Sequence, residues 1–387
     1  MDYLSSSFFS HWQQNTVQQA LAVRTASDVE QVLNKVARAK SYNMLSVDDL
    51  ATLISDAANP YLEVMAQLSQ QLTRQRFGHA LQLFIPLYLS NLCANECSYC
   101  GFSMSNKIKR KTLTWEEVDA ECLAIKAMGY DAILLVTGEH ETKVGMAYFE
   151  QILPIVKKHF SYVMLECQPL SQHQYALVKQ WGVDAVMVYQ ETYHKPSYQQ
   201  YHLRGNKRDF RWRLEAPDRL GAAKMDKVGL GCLFGLHDSW QEDALSLASH
   251  LQYLQKRYWR TRYSVAFPRL RPCTGNNNQL TPQAALSDRS LTKLICAFRL
   301  FNPQLEVVLS TREPAKLRDN LLPLGVTHLS AGSQTQPGGY VDETALKKPQ
   351  LAQFDIDDVR APAEVAASIK HRGFDVIWTD WNKSYSG

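Results

Sequence analysis

Three closely spaced cysteines are the residues in this chain best suited to chemistry. Cys93, Cys97 and Cys100 are separated by three and then two residues, and no fourth cysteine lies nearby. A structural zinc site or an ordinary ferredoxin-type cluster takes four protein ligands. Three thiolates can instead hold three irons of a [4Fe–4S] cluster and leave the fourth iron open to a small molecule. The spacing therefore predicts a cluster that binds a ligand.

Two plainer interpretations of the same residues stay open. The three cysteines would then be unrelated buried thiols, or they would form a zinc site completed by a distant histidine. The remaining cysteines are scattered, and because buried free thiols are common we expect them to be inert core residues. They are Cys122, Cys167, Cys232, Cys273 and Cys296.

The composition is that of an ordinary enzyme with one large core or two smaller ones. Of 387 residues, 45% are apolar and 21% charged, and the net charge of +4 is too small and too evenly spread to indicate nucleic acid. No run of 18 apolar residues and no secretory signal are found, so no membrane association is expected. Cysteines outside an export context are read as reduced thiols, and we expect a cytoplasmic protein.

From about residue 81, short β-branched runs alternate with helix-length amphipathic stretches, a pattern typical of βα units around a parallel sheet. Eight such units predict a closed (β/α)8 barrel of the TIM type, in the α/β class. Between strands, helices are predicted over 114–128, where Thr114 and Glu117 form a capping box, and over 288–301. The predicted strands are 81–89, 132–136, 162–165, 185–188, 228–234, 263–267, 305–309 and 327–329.

Nearly every predicted strand runs into polar or glycine-containing residues at its carboxyl end. In a (β/α)8 barrel the active site is built at that end, so these clusters should converge on one mouth. The clusters are 90–91 with the cysteine loop, 137–139, 166–168, 190–192, 235–237, 269–271, 310–312 and 330–333.

The barrel is predicted to occupy residues 81–332. Residues 1–80 are expected to be a helical extension packed on it, with capping signals at 27–30 and 46–49 and a further helix from Pro60. Residues 333–387 would complete or cover the barrel, with a short helix from about Pro362. The long segment within 333–358 is either a lid over the mouth or a stretch that packs elsewhere.

Four stretches beyond the cysteines narrow the interpretation. With the cysteine motif, they resemble the aromatic amino acid lyases of the radical S-adenosylmethionine (SAM) superfamily, over the whole chain. The likeness is greatest to members that serve thiamine thiazole synthesis. The stretches are 86–91, 190–193, 209–214 and 330–333.

The resemblance implies that the open iron of a [4Fe–4S] cluster binds SAM, which is cleaved to methionine and 5′-deoxyadenosine. L-Tyrosine would be split between Cα and Cβ into 2-iminoacetate (dehydroglycine) and p-cresol, after loss of a hydrogen atom from its amino group. A flavodoxin-like protein would supply the electron. Because 2-iminoacetate hydrolyses readily, the thiazole synthase that consumes it is expected as a partner.

The same resemblance implies residue roles. For SAM, Tyr99 and Phe102 would flank the adenine, and Glu191 would bond the ribose. Arg213 would reach the SAM carboxylate, a task that suits a guanidinium. The family's Gly-Gly-Glu-like turn, which takes the SAM amino group, is here Thr137, Gly138 and Glu139, with threonine replacing one glycine. As plainer alternatives, Glu139 and Glu191 would cap helices and Arg213 would form a surface ion pair.

For tyrosine, the resemblance implies that Arg312 holds the substrate carboxylate while Tyr88 and Ser330 line the pocket. A buried carboxylate needs a charged, hydrogen-bonding partner. Arg271, with Arg269, is a second choice for that role. Alternatively, Arg312 pairs locally with Glu313 and Tyr88 is simple core.

The cysteine motif is compatible with several other activities. A tryptophan lyase differs in pocket size, which one sequence does not display. The tyrosine lyase of hydrogenase maturation needs a second cluster on C-terminal cysteines, but here the last cysteine is Cys296. A biotin synthase-like enzyme needs an auxiliary cluster, to which Cys167 and Cys232 would be the only pointers. From another class, the chain would be a non-catalytic iron–sulfur protein.

Overall fold

A parallel β-barrel forms the centre of the protein. The computed structural model describes residues 3–12, 23–38, 45–273, 286–341 and 352–379. The strands are β1 (Ala80–Ser90), β2 (Glu96–Cys97), β3 (Ala132–Thr137), β4 (Tyr162–Glu166), β5 (Ala185–Met187), β6 (His202–Arg204), β7 (Lys227–Gly231), β8 (Arg262–Ala266), β9 (Glu306–Leu309), β10 (His328–Ser330) and β11 (Asp375–Ile377).

Eight of these strands close the barrel, which confirms the predicted (β/α)8 fold. The order is β1-β3-β4-β5-β7-β8-β9-β10, all neighbours are parallel, and β10 pairs back with β1 at Phe84 and Ser330. The eight predicted strands are all present. The one predicted over 228–234 ends early, at Gly231, because the chain beyond it makes only single bridges, from Cys232 to Glu191 and from Phe234 to Arg269.

Alternation along each strand divides the buried residues into two sets. On β4, Tyr162 and Met164 belong to the cluster inside the barrel, whereas Val163 and Leu165 belong to the larger core between sheet and helices. Because successive side chains of a strand point to opposite faces, this parity also aims the last residue of β4, Glu166, toward the barrel interior. The barrel is a filled core with its open end at the strands' carboxyl termini.

Helices surround the barrel. Thr114 caps the helix 115–127 through the predicted box with Glu117, and the helix predicted over 288–301 has those bounds. None of the described helices is long and apolar enough to cross a bilayer. The helices are α1 (Phe8–His11), α2 (Ala26–Arg38), α3 (Val47–Ile54), α4 (Leu62–Phe77), α5 (Trp115–Ala127), α6 (Met146–His159), α7 (Gln172–Gln180), α8 (Lys195–Tyr201), α9 (Phe210–Leu214), α10 (Ala216–Ala222), α11 (Trp240–Arg257), α12 (Asp288–Phe301), α13 (Ala315–Leu321) and α14 (Pro362–His371).

The N-terminal helices pack on the barrel's outer helices, and two of their predicted starts were wrong. The predicted cap at Ser27 lies inside α2; Thr25 and Asp28 exchange the capping hydrogen bonds two residues earlier. Pro60 lies within a 3₁₀ helix, 56–61, and α4 begins only at Leu62. The capping box of Ser46 and Asp49 was correct.

The C-terminal segment touches both ends of the barrel. Residues 342–351 of the candidate lid lie outside the described residues. After that gap, Gln353 and Phe354 reach the mouth, while β11 pairs with the amino end of β1, Asp375 beside Ala80. The helix predicted from Pro362 is α14. A buried ion pair between Arg318 and Asp358 fixes the segment between these two contacts.

Candidate active site

One cavity opens at the carboxyl ends of the barrel strands. The three cysteines line it, on the loop that follows β1. All but one of the residues for which the sequence suggested a ligand-binding role line the same cavity; the exception is Arg269, a second choice for the substrate carboxylate. The others are Tyr88, Tyr99, Phe102, Thr137, Gly138, Glu139, Glu191, Arg213, Arg271, Arg312 and Ser330.

The cysteine loop is held in shape by one arginine. The Arg110 guanidinium donates to four backbone carbonyls, those of Asn91, Phe102, Ser103 and Asn106, at 2.6–3.2 Å. Such a fork satisfies several carbonyls that a loop without regular structure would otherwise leave unpaired. The positions of the thiols therefore depend on a side chain that lies outside the cysteine motif.

Two glycines let neighbouring backbone approach the loop. A Cβ at Gly138 would lie 2.4 Å from the Leu92 carbonyl oxygen, and one at Gly101 would lie 2.6 Å from that of Ala352. Real Cβ atoms do not come so close, so both positions need glycine. Thr137, which stands where the resemblance implies another glycine, is the last residue of β3.

The three thiols suit a cluster that leaves one iron free. Burial raises the pKa of the Cys93 thiol to about 11 and that of Cys97 well above its usual value. Thiolates at such positions form only with a strong positive partner, such as bound iron. Among the described residues, no three Cys, His, Asp or Glu side chains are arranged around a single metal ion. Three thiols that line one cavity are the ligand set that a [4Fe–4S] cluster with one iron open to a ligand needs.

Beside the cysteines, two acids and two bases form a buried charged network. Arg213 lies 2.9 Å from Glu139 and 3.6 Å from Glu191, while Lys207 lies 2.7 Å from Glu191 and 4.0 Å from Glu139. Asn95 of the cysteine loop donates to Glu139 at 2.8 Å and accepts from the Lys207 backbone at 2.9 Å. Neither acid caps a helix and Arg213 is buried, so those plainer interpretations were wrong.

Glu191 is held in an unusual backbone conformation. Its φ of 70° lies in the left-handed region, which costs energy for a residue with a Cβ. Burial opposes its ionisation, but Lys207 and Arg213 together keep the pKa of Glu191 below its ordinary value. The chain thus maintains a strained, ionised carboxylate at the end of β5.

The two aromatic residues of the cysteine motif are both fixed by partners. The Tyr99 hydroxyl lies 2.7 Å from His202 Nε2, and the other ring nitrogen of His202 lies 2.7 Å from the Tyr198 carbonyl. Burial lowers the pKa of His202 to about 3, so the ring is neutral and Tyr99 is the donor. Phe102 is almost fully buried and makes an edge contact with Tyr88, at 5.9 Å between ring centres.

On the opposite side of the cavity, Arg312 lies under the C-terminal segment. Its guanidinium carbon is 3.4 Å from the centre of the Phe354 ring, and within the described residues it has no carboxylate partner. The predicted local pair with Glu313 is absent there. Tyr88 donates to Gln353 at 2.8 Å, and Ser330 accepts from the Thr311 amide at 3.2 Å.

The rival arginines are already paired. Arg269 contacts Glu313 and Asp288, the latter at 2.8 Å, and Arg271 lies 2.6 Å from Asp357 and 3.6 Å from Glu313. Because their charges are compensated inside the protein, they are less suited than Arg312 to bind a new anion.

Among the cavity residues that received no role from the sequence, Lys207, Glu166, Gln353 and Phe354 bear on the site. Lys207 follows Gly205 in a short polar run, and nothing local distinguishes it from a surface lysine. Glu166 belongs to one of the polar clusters at the strand ends, and the alternation of side chains along its strand could have predicted that it points into the barrel. Gln353 and Phe354 reach the site only through tertiary contacts, and no local pattern marks them.

Comparison with known proteins identifies the family. The model of the Radical SAM superfamily matches residues 87–248, and that of the Biotin and Thiamin Synthesis associated domain matches residues 266–375. A 2-iminoacetate synthase of Escherichia coli (strain K12) is 50% identical over 383 residues, 98% of each chain. This chain belongs to the 2-iminoacetate synthase family. The family's member from Salmonella typhimurium (strain LT2) is also 50% identical, over 97% of each chain.

Solved structures agree with the barrel. The HydG maturase of the [FeFe]-hydrogenase from Carboxydothermus hydrogenoformans is 30% identical, with a TM-score of 0.85 over 94% of this chain and 84% of that one. The methylornithine synthase PylB, 20% identical with a TM-score of 0.71, shares the fold. Membership of the 2-iminoacetate synthase family confirms the prediction of a radical SAM carbon–carbon lyase that uses a [4Fe–4S] cluster and SAM.

Removing one predicted ligand tests the cluster site. We expect the Cys97→Ala protein to lose the cluster, whereas anaerobically reconstituted wild-type protein carries about four irons per chain. Cys122→Ala is the matched control, because Cys122 is buried on α5 and should leave the iron content unchanged. Iron analysis and the visible absorption of the cluster provide the measurement. Eight irons per chain in the wild type would contradict a single-cluster site.

Proposed function

We propose that this protein is a tyrosine lyase that cleaves the Cα–Cβ bond of L-tyrosine to 2-iminoacetate and p-cresol. The observation that carries the proposal is a barrel cavity with three cluster thiols on one side and, on the other, the half-buried Arg312, which has no carboxylate partner within the described residues. The 2-iminoacetate synthases that are 50% identical over nearly the whole chain support the same activity. Thiazole formation for thiamine would be the use of the imine.

When bound, the reduced cluster and SAM supply a 5′-deoxyadenosyl radical that can remove a hydrogen atom from the substrate. The protein's contribution is to orient the two ligands and to exclude water from the cavity. Gln353 and Phe354 serve the second purpose, since they cover the mouth beside Tyr88 and Arg312.

The charged network is proposed to hold SAM. Glu139 is the partner for its ammonium, Arg213 for its carboxylate and Glu191 for the ribose hydroxyls. Tyr99 and Phe102 would flank the adenine, with Thr137 and Gly138 offering backbone groups. In the protein alone these charges satisfy one another, at 2.9 Å between Arg213 and Glu139. A zwitterionic ligand can exchange with such internal pairs at little electrostatic cost, because each charge meets an opposite one again.

Arg312 is proposed to bind the tyrosine carboxylate, with Tyr88 and Ser330 beside it. Below these residues the cavity becomes apolar, lined by Phe84, Leu134 and Val308. This order, with a cation above and apolar side chains below, matches an amino acid whose head group is at the mouth and whose aromatic ring is inside the barrel. Arg271 would support the site through its contact with the Arg312 carbonyl.

Product analysis tests the activity. We expect the reduced, reconstituted protein to convert L-tyrosine to p-cresol and glyoxylate, the hydrolysis product of the imine, while forming 5′-deoxyadenosine. L-Tryptophan, tested in parallel, should give no indole product. Preferential tryptophan cleavage would assign the chain to the alternative lyase, and absence of 5′-deoxyadenosine with either amino acid would leave only an iron–sulfur carrier.

Substitution of Arg312 or of Glu139 by alanine should distinguish the tyrosine site from the SAM site. Arg312→Ala should weaken tyrosine binding by on the order of 2–5 kcal/mol, more than roughly 20-fold, and leave SAM binding nearly unchanged. Glu139→Ala should do the reverse. Calorimetric titration of each ligand into cluster-loaded variants measures both, with Arg260→Ala as a control because Arg260 is exposed just before β8, at the opposite end of the strand from the mouth. Near-normal tyrosine affinity in Arg312→Ala would transfer the role to Arg271.

Two protein partners are proposed: a flavodoxin-like electron donor and the thiazole synthase. The cysteine loop presents an exposed Met104 with Lys107 and Lys109 around it, a surface that suits an acidic donor.

Product would leave at the covered mouth, so the thiazole synthase is assigned to the segment 333–358. Anaerobic co-purification tests both contacts: Lys107→Glu with Lys109→Glu should abolish binding of the donor alone, and shortening the loop at Gly338 should abolish binding of the synthase alone. Retention of either partner by its own variant would refute that assignment.

A further inference from the structure

Glu166 has its carboxyl group in the active-site cavity without an assigned task. It is the last residue of β4, and its parity with Tyr162 and Met164 aims it into the barrel. It lines the cavity together with Arg312 and the cysteines. The strand rather than a loop sets its direction, so its position is as firm as that of the barrel itself.

Glu166 differs from the other acids of the cavity in having no partner within the described residues. Glu139 and Glu191 are each bound by Arg213 and Lys207. Across the described part of the chain, no hydrogen bond or ion pair is made by the Glu166 carboxyl group. A buried acid normally has such a partner, because leaving it without one costs free energy. A carboxyl group left open toward a ligand cavity is therefore a candidate ligand contact.

The surroundings of Glu166 keep its protonation balanced. Burial and the nearby Glu191 carboxylate together raise the pKa of Glu166 to about 7, and Arg312 is the cation that opposes this rise most. At neutral pH the group can thus both hold and release a proton, which is the property of an effective general base. The titratable groups that face it are Tyr88 on β1, Tyr189 and Glu191 at the end of β5, Lys207 and Arg213 beyond β6, and Arg312 beyond β9.

The reaction creates a need for such a base. Tyrosine arrives with a positively charged ammonium group, and removing a hydrogen atom from it would give an aminium radical cation, whereas the neutral amine gives a neutral aminyl radical. The amino group should therefore lose a proton first. When the substrate carboxylate binds Arg312, the ammonium group is on the adjacent carbon and lies in the same part of the cavity. Glu166 faces that part, since Arg312 lowers its pKa.

We propose that Glu166 pairs with the α-ammonium group of the substrate and removes one proton from it before the hydrogen atom is taken. An N–H bond breaks, an O–H bond forms on Glu166, and the electron pair stays on nitrogen as a neutral amine. The proton returns to water when the products leave. The inference rests on the proposed function, since it concerns the tyrosine that Arg312 holds.

The first test is the pH dependence of tyrosine cleavage. In the wild type, kcat/KM should fall as the pH drops through the region near 7, because the protonated carboxyl group cannot accept a proton. Glu166→Gln should lower kcat at pH 7 by about 100-fold or more, the usual effect of losing a general base. Its activity should recover at higher pH, where the amine deprotonates unaided.

Two further variants control this experiment. Glu166→Asp should show the same fall in kcat/KM near pH 7 as the wild type, at a reduced rate. This variant separates loss of the base from loss of folding. Glu150→Gln removes an exposed charge on α6 and should change nothing. If Glu166→Gln keeps the wild-type limb near pH 7, the proposal is overturned.

The second test detects the proton without turnover. At pH 7 a carboxyl group of pKa about 7 is half protonated, so tyrosine binding to the unreduced, SAM-loaded protein should release about half a proton. Calorimetry in buffers of different ionisation enthalpy measures this release, and Glu166→Gln should show none. Phenylalanine should cause the same release, since it has the ammonium group but no phenol.

Three outcomes would refute the assignment. Release with tyrosine but not with phenylalanine would place Glu166 at the phenol, and weakened SAM binding in Glu166→Gln would place it on SAM. Equal proton release by Glu166→Gln and wild type would remove it from the reaction. A wild-type protein that releases the proton but forms no p-cresol would refute the proposed lyase activity instead, so the two failures are distinguishable.

Discussion

The neutralisation of buried charge at the barrel mouth is the constraint on which the site depends. Glu139, Glu191, Arg213 and Lys207 come from separate strand ends and loops, and a charge buried without its counterpart would be costly. Their mutual pairing therefore fixes the relative positions of those elements. Asn95 extends the network to the cysteine loop, so the cluster ligands are placed by the same set of interactions.

The cavity is electrostatically divided as a result. On the side of the cysteines, acids and bases are matched one to one. On the other side, Arg312 and Glu166 each lack a direct partner among the described residues, and they lie near enough to influence one another's ionisation. A zwitterionic amino acid carries the two charges that this side lacks. The division explains how one cavity can hold two different zwitterions in a fixed order.

The C-terminal segment partly covers the cavity. Gly101 accepts the close approach of the backbone at Ala352 and Gln353, and Phe354 stacks on Arg312. The Arg318–Asp358 pair holds the segment at one end, and β11 holds it to the base of the barrel at the other. Enclosure strengthens electrostatic interactions, because it replaces mobile water with fixed groups. The match of the Biotin and Thiamin Synthesis associated domain, over residues 266–375, includes this covering part.

The sequence by itself determined the local features. Strand and helix periodicity, capping boxes such as that of Thr114, and the cysteine spacing all depend on near neighbours, so eight strands and the cluster motif could be read directly. The resemblance to a known family extended this reading to residues such as Arg213, on α9, and Arg312, beyond β9. The strand that begins at Lys227 ends a few residues earlier than predicted, and the helix after Thr25 is capped a few residues earlier than predicted. At both places, competing signals in the sequence are of similar strength.

The tertiary structure alone decided which charges meet. Lys207 pairs with Glu191 across a loop, and Gln353 reaches Tyr88 from 265 positions away in the chain. Such contacts depend on how the closed barrel brings distant loops together, and no periodic pattern encodes them. The solitary state of Glu166 is likewise visible only once the partners of its neighbours are known. Charge pairing is a property of the assembled fold, whereas periodicity and spacing belong to the chain.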